Sequence, residues 1–208
     1  MAVVSLTRTR RTQAERRSST RGRLLDATID CLGDLGYART TTPEIARRAG
    51  LSRGAQLHHF PTKAELVTSA LEHLFERRHA EFLCAFAELP PGADRLAAAI
   101  DIVWEMVSGP TGSAWLELAV AARTDPELRE RFRTTASRLV DTIEQTFRRL
   151  FVAPGKPNPF YETAPRFLFA LLEGLALARM HVGDSERVTE TLDVLKALAH
   201  TVMPAESR

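Results

Sequence analysis

The segment from Thr41 to Glu65, TTPEIARRAGLSRGAQLHHFPTKAE, constrains this chain more than any other stretch. It contains the starts of three helices in quick succession. Thr41 stands three residues before Glu44, and Thr62 three before Glu65. At that spacing the hydroxyl accepts from the backbone three residues on while the carboxylate reaches back, which is the capping box. Pro43 falls in the first turn, where its missing N–H costs nothing. Ile45 and Ala49 make an apolar stripe, and Gly50 predicts a left-handed stop. Ser52 then caps a second short helix carrying Arg53, Gly54, Ala55, Gln56, Leu57, His58 and His59, which ends against Phe60-Pro61. Two short helices across a tight turn, with hydrogen-bond donors on the second, form a helix-turn-helix pattern.

Elsewhere apolar residues recur at steps of three and four and strands are hard to place, so the chain reads as all-α. An amphipathic helix is expected from Ser18 to Leu35, with Leu25, Ile29 and Leu32 on one face and Gly36 at its end. It completes a three-helix head, because the two motif helices alone cannot bury a core. Thr62 to about Leu89 reads as one long helix, since Leu66, Ala70 and Leu74 and then Leu71, Phe75, Phe82 and Phe86 keep helical spacing. Pro90-Pro91-Gly92 breaks it. No flexible linker separates head from body, so this helix is their mechanical connection. Further helices are expected over 94–108, 114–123, 124–151, 161–182 and 185–203, with loops over 108–113 and 152–159.

The net charge of +2 conceals an asymmetry. Residues 1–63 hold 12 Lys+Arg against 5 Asp+Glu, a net of +7, and residues 64–208 hold 16 against 21, a net of −5. A basic head on an acidic body suits a head that meets a polyanion. Cys31 and Cys84 stand alone without metal-ligand spacing, and both are expected as small buried hydrophobes in a reducing cytoplasm. Met1–Gly22 lacks the apolar core of a secretory signal, and the run 167–178 is too short to span a bilayer, so no membrane partner is expected. His58 and His59 are adjacent and diverge on a helix, and His73 and His79 are six apart. No G-x-S-x-G is present, so neither metal, cofactor nor catalytic group is expected.

The run T-x-P-E-I-A-R-R-A-G-L-S-R-G-A-Q-L-H-H-F-P-T-K-A-E-L resembles the DNA-binding signature of the tetracycline-repressor (TetR) family of bacterial one-component regulators. Its ordered Gly, Ser, Phe and Lys are far more specific than a lone Gly-rich loop, and the remainder of the chain matches in length and helical pattern. The resemblance implies a three-helix helix-turn-helix head and a helical ligand-binding and dimerisation body. It implies a sequence-specific transcriptional regulator, a ligand-responsive repressor that binds a near-palindromic operator in double-stranded DNA as a homodimer and takes a small apolar effector. The corresponding division is a disordered basic arm over 1–17, a DNA-binding head over 18–63, and an effector-binding and dimerisation body over 64–208. Arginines of the arm either follow phosphates or a minor groove, or form a solvated tail.

The expected DNA contacts are Thr41, Thr42, Ser52, Arg53, Gly54, Ala55, Gln56, His58 and Lys63. Thr41 and Thr42 offer hydroxyls at a helix start that also favours phosphate. Arg53 suits guanine O6/N7 and Gln56 suits adenine N6/N7, while Gly54 permits close approach. The match P-T-K-A-E-L gives Lys63 the family's phosphate-contacting role, and His58 occupies a position that often meets the DNA backbone. Where the family commonly has Thr-Leu-Tyr after that Gly, this chain has Ala55-Gln56-Leu57, so the tyrosine's phosphate contact is missing at Leu57. The competing reading for Arg53 and Gln56 is solvated surface; His59 and Phe60 read as packing residues.

In the body, Ala170, Gly174 and Ala178 fall at steps of four and let another helix approach closely. With Phe167, Leu171, Leu192, Leu195 and Ala199 they form the expected dimer interface, packing within the chain being the alternative. Glu117 and Glu173 sit within apolar helical stretches and need partners if buried. Trp104, Trp115, Glu117, Phe132, Glu173 and Met180 are the expected walls of an effector pocket, with core packing or exposed faces as the alternatives. Two other functions compete: a sequence-indifferent architectural DNA binder, separable by its specificity ratio at fixed salt, and a helical enzyme with a fortuitous motif, separable by turnover without DNA affinity.

Overall fold

A computed structural model describes residues 13–152, 159–183 and 186–203. Among the described residues every regular element is a helix: α1 (Gln13–Arg39, broken at the expected Gly36, where φ is 70° and ψ 171°), α2 (Thr42–Arg48), α3 (Arg53–His59), α4 (Lys63–Ala87), α5 (Arg95–Ser108), α6 (Pro110–Ala121), α7 (Pro126–Phe151), α8 (Pro159–Val182) and α9 (Glu186–Val202). The starts follow from the residues. Thr41, Ser52, Thr62, Asp94 and Asp125 each accept from the backbone N–H three residues on, capping α2, α3, α4, α5 and α7. The carboxylate of Glu44, expected to complete a capping box, is instead drawn to Arg47 at 2.6 Å and Arg48 at 2.9 Å. Those guanidiniums hold its pKa down at about 2. Gly50 ends α2 with φ 63°, and Arg23 of α1 donates to the carbonyls of Ala49 and Gly50, tying the first helix to the end of the second.

Three expectations about element bounds need correction. The first helix begins at Gln13 rather than Ser18, so the last residues assigned to the arm are helical; Ala14, Glu15, Arg16 and Arg17 are strong helix formers. Residues 1–12 of the arm lie outside the described residues. The loop expected over 108–113 shrinks to a turn at Gly109, because Pro110 with its fixed φ starts α6 directly. The last apolar helix but one starts at Pro159 and retains Pro165 in its interior.

Apolar clusters hold the helices, one of them Phe82, Phe86 and Ala99 between α4 and α5. Leu24, Cys31, Ile45, Phe60 and Leu66 seal the head. Leu32, Val67 and Leu71 pack on Ala114, Leu118 and Leu128 where head meets body. Leu96, Ile100, Phe147, Leu172, Leu192 and Leu195 form the body's core. Cys84 is exposed, against expectation, because it lies on the side of α4 opposite Phe82 and Phe86. No helix among the described residues is long and apolar enough to cross a membrane.

The α5–α6 corner leaves no room for a side chain at Gly112, where an added Cβ would stand 1.8 Å from the Val107 carbonyl oxygen. A Cβ at Gly33 in α1 would meet nothing within 4 Å. Gly112→Ala is therefore expected to destabilise the chain by about 1–3 kcal/mol, and Gly33→Ala to stabilise it by about 0.5–1 kcal/mol. Thermal melts of the two variants check the opposite signs.

Candidate nucleic-acid interface and ligand cavity

The second motif helix, α3, turns Ser52, Arg53, Gly54, Leu57 and His58 to solvent, and Thr41 is exposed at the start of α2. Thr42 and Ala55 are half-buried beside them. This is a small polar surface with a forked donor, Arg53, at its centre. Gln56 does not belong to it. Its side chain is fully buried, and Nε2 donates to the Phe60 carbonyl at 2.8 Å. Gln56 lies one turn before Phe60, on the stripe that faces the head's core, so its amide caps the end of its own helix and cannot reach a base edge. Residue type suggested a reader; helical phase makes it a strut.

Lys63 is also engaged within the chain. Its Nζ donates to the Tyr37 carbonyl at 2.7 Å and stands 3.8 Å from the centre of the Tyr37 ring. Burial pulls its pKa down, with the Asp125 carboxylate opposing. The ammonium thus pins the first turn of α4 to the end of α1. Around it lies a polar seam between head and body. The Tyr37 backbone N–H donates to Glu117 Oε2 at 2.9 Å, and its phenol donates to Asp125 Oδ2 at 3.3 Å. The Thr62 hydroxyl donates to Glu127 Oε1 at 2.7 Å. At Gly36, with φ 70°, an added Cβ would come within 3.0 Å of Glu117 Oε2, so the chain turns here on a residue without a side chain. Desolvation, then the Asp125 charge, pushes the Tyr37 phenol up to about 12.

On the other side of the seam is a cavity of about 420 Å³, lined among others by Phe75, His79, Trp115, Ile143, Phe169 and Glu173. Trp115, Glu173 and Met180, expected from sequence, all border it. Three other expected wall residues do not. Phe132 stands behind Trp115, with ring centres 4.5 Å apart. Trp104 lines a separate cleft, with the Arg179 guanidinium 5.7 Å from its ring centre. Glu117 faces the head. Two residues apart on α6, Trp115 and Glu117 necessarily point to different sides of the helix. His79 was missed, although it continues the Phe75–Phe82–Phe86 stripe of α4; its ring nitrogen is 2.8 Å from Thr146 Oγ1, and burial lowers its pKa. The Glu173 pKa is raised by burial, which a hydrogen bond with the Trp115 side chain partly offsets. No cluster of potential metal ligands occurs among the described residues.

A third surface is apolar. Phe167 and Leu177 on α8 and Val194, Leu198 and Val202 on α9 are exposed, Val194 and Leu198 each by 59%. Ala170, Gly174 and Ala178 are exposed alongside them, and Leu171 is half-buried. Leu192, Leu195 and Ala199, expected at this interface, are instead in the chain's own core. Helix α9 carries two apolar stripes, and the one with Val194, Leu198 and Val202 at steps of four is the outer one.

The seam makes a measurable statement about Tyr37. A phenol whose pKa is raised in the folded state favours folding while it stays protonated, below pH about 10. That contribution is lost as pH rises through about 12. In the Tyr161→Phe variant Tyr37 is the single tyrosine, and its ultraviolet phenolate signal is expected to appear well above pH 10, toward about 12. A midpoint at the ordinary value near 10 would mean that the seam is open in solution.

Comparison with known proteins places these surfaces in a family. Residues 24–70 match the model for bacterial regulatory proteins of the tetR family, and residues 93–204 match that for the C-terminal part of BetI-type transcriptional repressors. The transcriptional regulator CymR of Pseudomonas putida is 35% identical over 178 residues, covering 86% of this chain and 88% of that protein. The regulator BetI of Stenotrophomonas maltophilia is 30% identical over 170 residues, covering 78% of this chain and 82% of that protein. A transcriptional regulator of Rhodococcus sp. Rha1 has a similar solved structure, with a TM-score of 0.67, 27% identity and coverage of 90% of this chain and 99% of that one. With its exposed α3 in a basic helix-turn-helix head on a helical body, this chain belongs to the tetR family of bacterial transcriptional regulators.

Proposed function

We propose that the chain is a ligand-responsive repressor that acts in the cytoplasm as a homodimer on a near-palindromic operator. On this reading residues 18–63 meet the DNA and residues 64–208 sense the effector and dimerise. Arg53 reads a base edge, guanine O6/N7 being its natural partner. Thr41, Thr42, Ser52 and His58 meet phosphates, and Gly54 and Ala55 let the helix approach. Lys63 acts by fixing the head's first and last helices, with its remaining N–H donors directed to a phosphate.

The outer face of α8 and α9 supports the dimer. Leaving Phe167, Leu177, Val194 and Leu198 about half in water is costly, at about 1 kcal/mol for each large apolar side chain that a partner would cover. The small residues Ala170, Gly174 and Ala178 allow the partner's backbone close approach. Twofold pairing there holds two α3 helices about 34–36 Å apart, in successive turns of the major groove.

The observation that carries ligand response is the double duty of α6. Trp115 forms part of the cavity wall, and two residues later Glu117 accepts the Tyr37 N–H at the base of the head. An occupant that moves Trp115 moves Glu117, and the head's preferred position changes with it. Release then requires that the effector bind the non-operator conformer more tightly by a few kcal/mol.

Operator fragments selected from the source genome make the reading testable. Leu198→Glu is expected to convert a dimer to a monomer in sedimentation equilibrium and to lower operator affinity by about 100-fold or more. Arg53→Ala is expected to cost about 1–3 kcal/mol and to relax selection at particular base pairs. A Leu198→Glu chain that remains dimeric, or an Arg53→Ala loss equal on every sequence, would reject the corresponding assignment.

A further inference from the structure

The cavity contains one polar group that the protein leaves incomplete. Glu173 Oε1 is buried and has no hydrogen-bond partner among the described residues. Most of the wall is aliphatic or aromatic. Among the described residues its titratable groups are Glu173 and His79, and none of them is a Lys or Arg. His79 is already bonded to Thr146, and burial favours its neutral form. An anionic ligand would therefore meet a carboxyl group in the wall and no cation among the wall's described residues, the Arg149 charge reaching the site only at His79. A neutral alcohol could satisfy Oε1 but would leave a buried carboxylate uncompensated. An ammonium supplies both the missing donor and the missing charge, and the Trp115, Phe75 and Phe169 rings suit a cation and an apolar body alike.

We propose that this cavity takes a lipophilic amine in its ammonium form, whose N–H donates to the Glu173 carboxylate while its apolar body fills the space between α4, α5, α6, α7 and α8. This rests on the cavity being the effector site and adds the charge class of the effector. It also assigns Glu173 as the residue that sets specificity. Oε1 is covered, so the carboxyl group turns to meet the ligand.

Three probes with one body separate the possibilities: 4-phenylbutylamine, 4-phenylbutanol and 4-phenylbutyrate, titrated calorimetrically into the full chain at neutral pH. The amine is expected to bind about tenfold or more tightly than the alcohol, and the carboxylate more weakly than either. Glu173→Gln, an isosteric change, is expected to remove most of the amine's advantage. The wild-type ranking tests the proposal even if that variant folds poorly. Carboxylate binding equal to amine binding, or an amine affinity unchanged by Glu173→Gln, overturns the charge class. Ala119→Phe, which fills the cavity from α6, tells the two failures apart. If it abolishes binding of probes whose order is wrong, the cavity stands and the amine does not. If no probe binds, or binding ignores Ala119→Phe, the effector-site reading falls and the amine with it.

Discussion

The packing of Leu32, Val67 and Leu71 on Ala114 and Leu118 makes the base of the DNA-binding head part of the same solid as the wall of the cavity. Leu118 is fully sealed at its centre. Around this apolar contact runs the polar seam, from Tyr37 to Glu117 and Asp125 and from Thr62 to Glu127. Close-packed interiors resist continuous deformation and move between discrete arrangements. A head joined by a flexible linker would forget what the body binds; this one is held at two helices, α1 and α4, against α6 and α7.

Much of this was legible in the residues, for identifiable reasons. Caps are local: Thr41, Ser52, Thr62, Asp94 and Asp125 satisfy backbone donors three positions away, and no tertiary contact is needed to foresee them. The head core was equally plain, since Leu25, Ile45 and Leu66 each lie on the apolar stripe of their own helix and Phe60 read as a packing residue. What the residues concealed is the direction of side chains on helices that bury more than one face. Gln56 looked like a base reader by its chemistry and is a fully buried strut by its phase. Leu192, Leu195 and Ala199 looked like an interface because α9 is apolar on two stripes, and only the body's packing tells the inner from the outer. Glu117 and Glu173 were equally suspicious as acids in apolar helices. One turned out to serve the head and the other the cavity, a distinction set by contacts some eighty residues away in sequence for Glu117.

The same geometry explains why the cavity and the seam have different chemistries. The seam is polar because it joins backbone groups at helix ends, where donors and acceptors must be satisfied. The cavity is apolar because it lies between α4, α5, α6, α7 and α8, which turn mostly aliphatic and aromatic side chains into it. Trp115 marks the boundary: its ring meets Phe75 and Phe132, its side chain bonds Glu173, and Glu117, two residues on, faces the head.

Amide hydrogen exchange at Tyr37 tests this coupling most directly, because that N–H is the one donated to Glu117 across the head–body seam. With a cavity ligand bound, and no DNA present, the account predicts faster exchange at Tyr37 while the amides of the head core around Leu24 and Ile45 keep their protection. Unchanged Tyr37 exchange under a ligand that nevertheless releases the operator would contradict it and place the signal on another path.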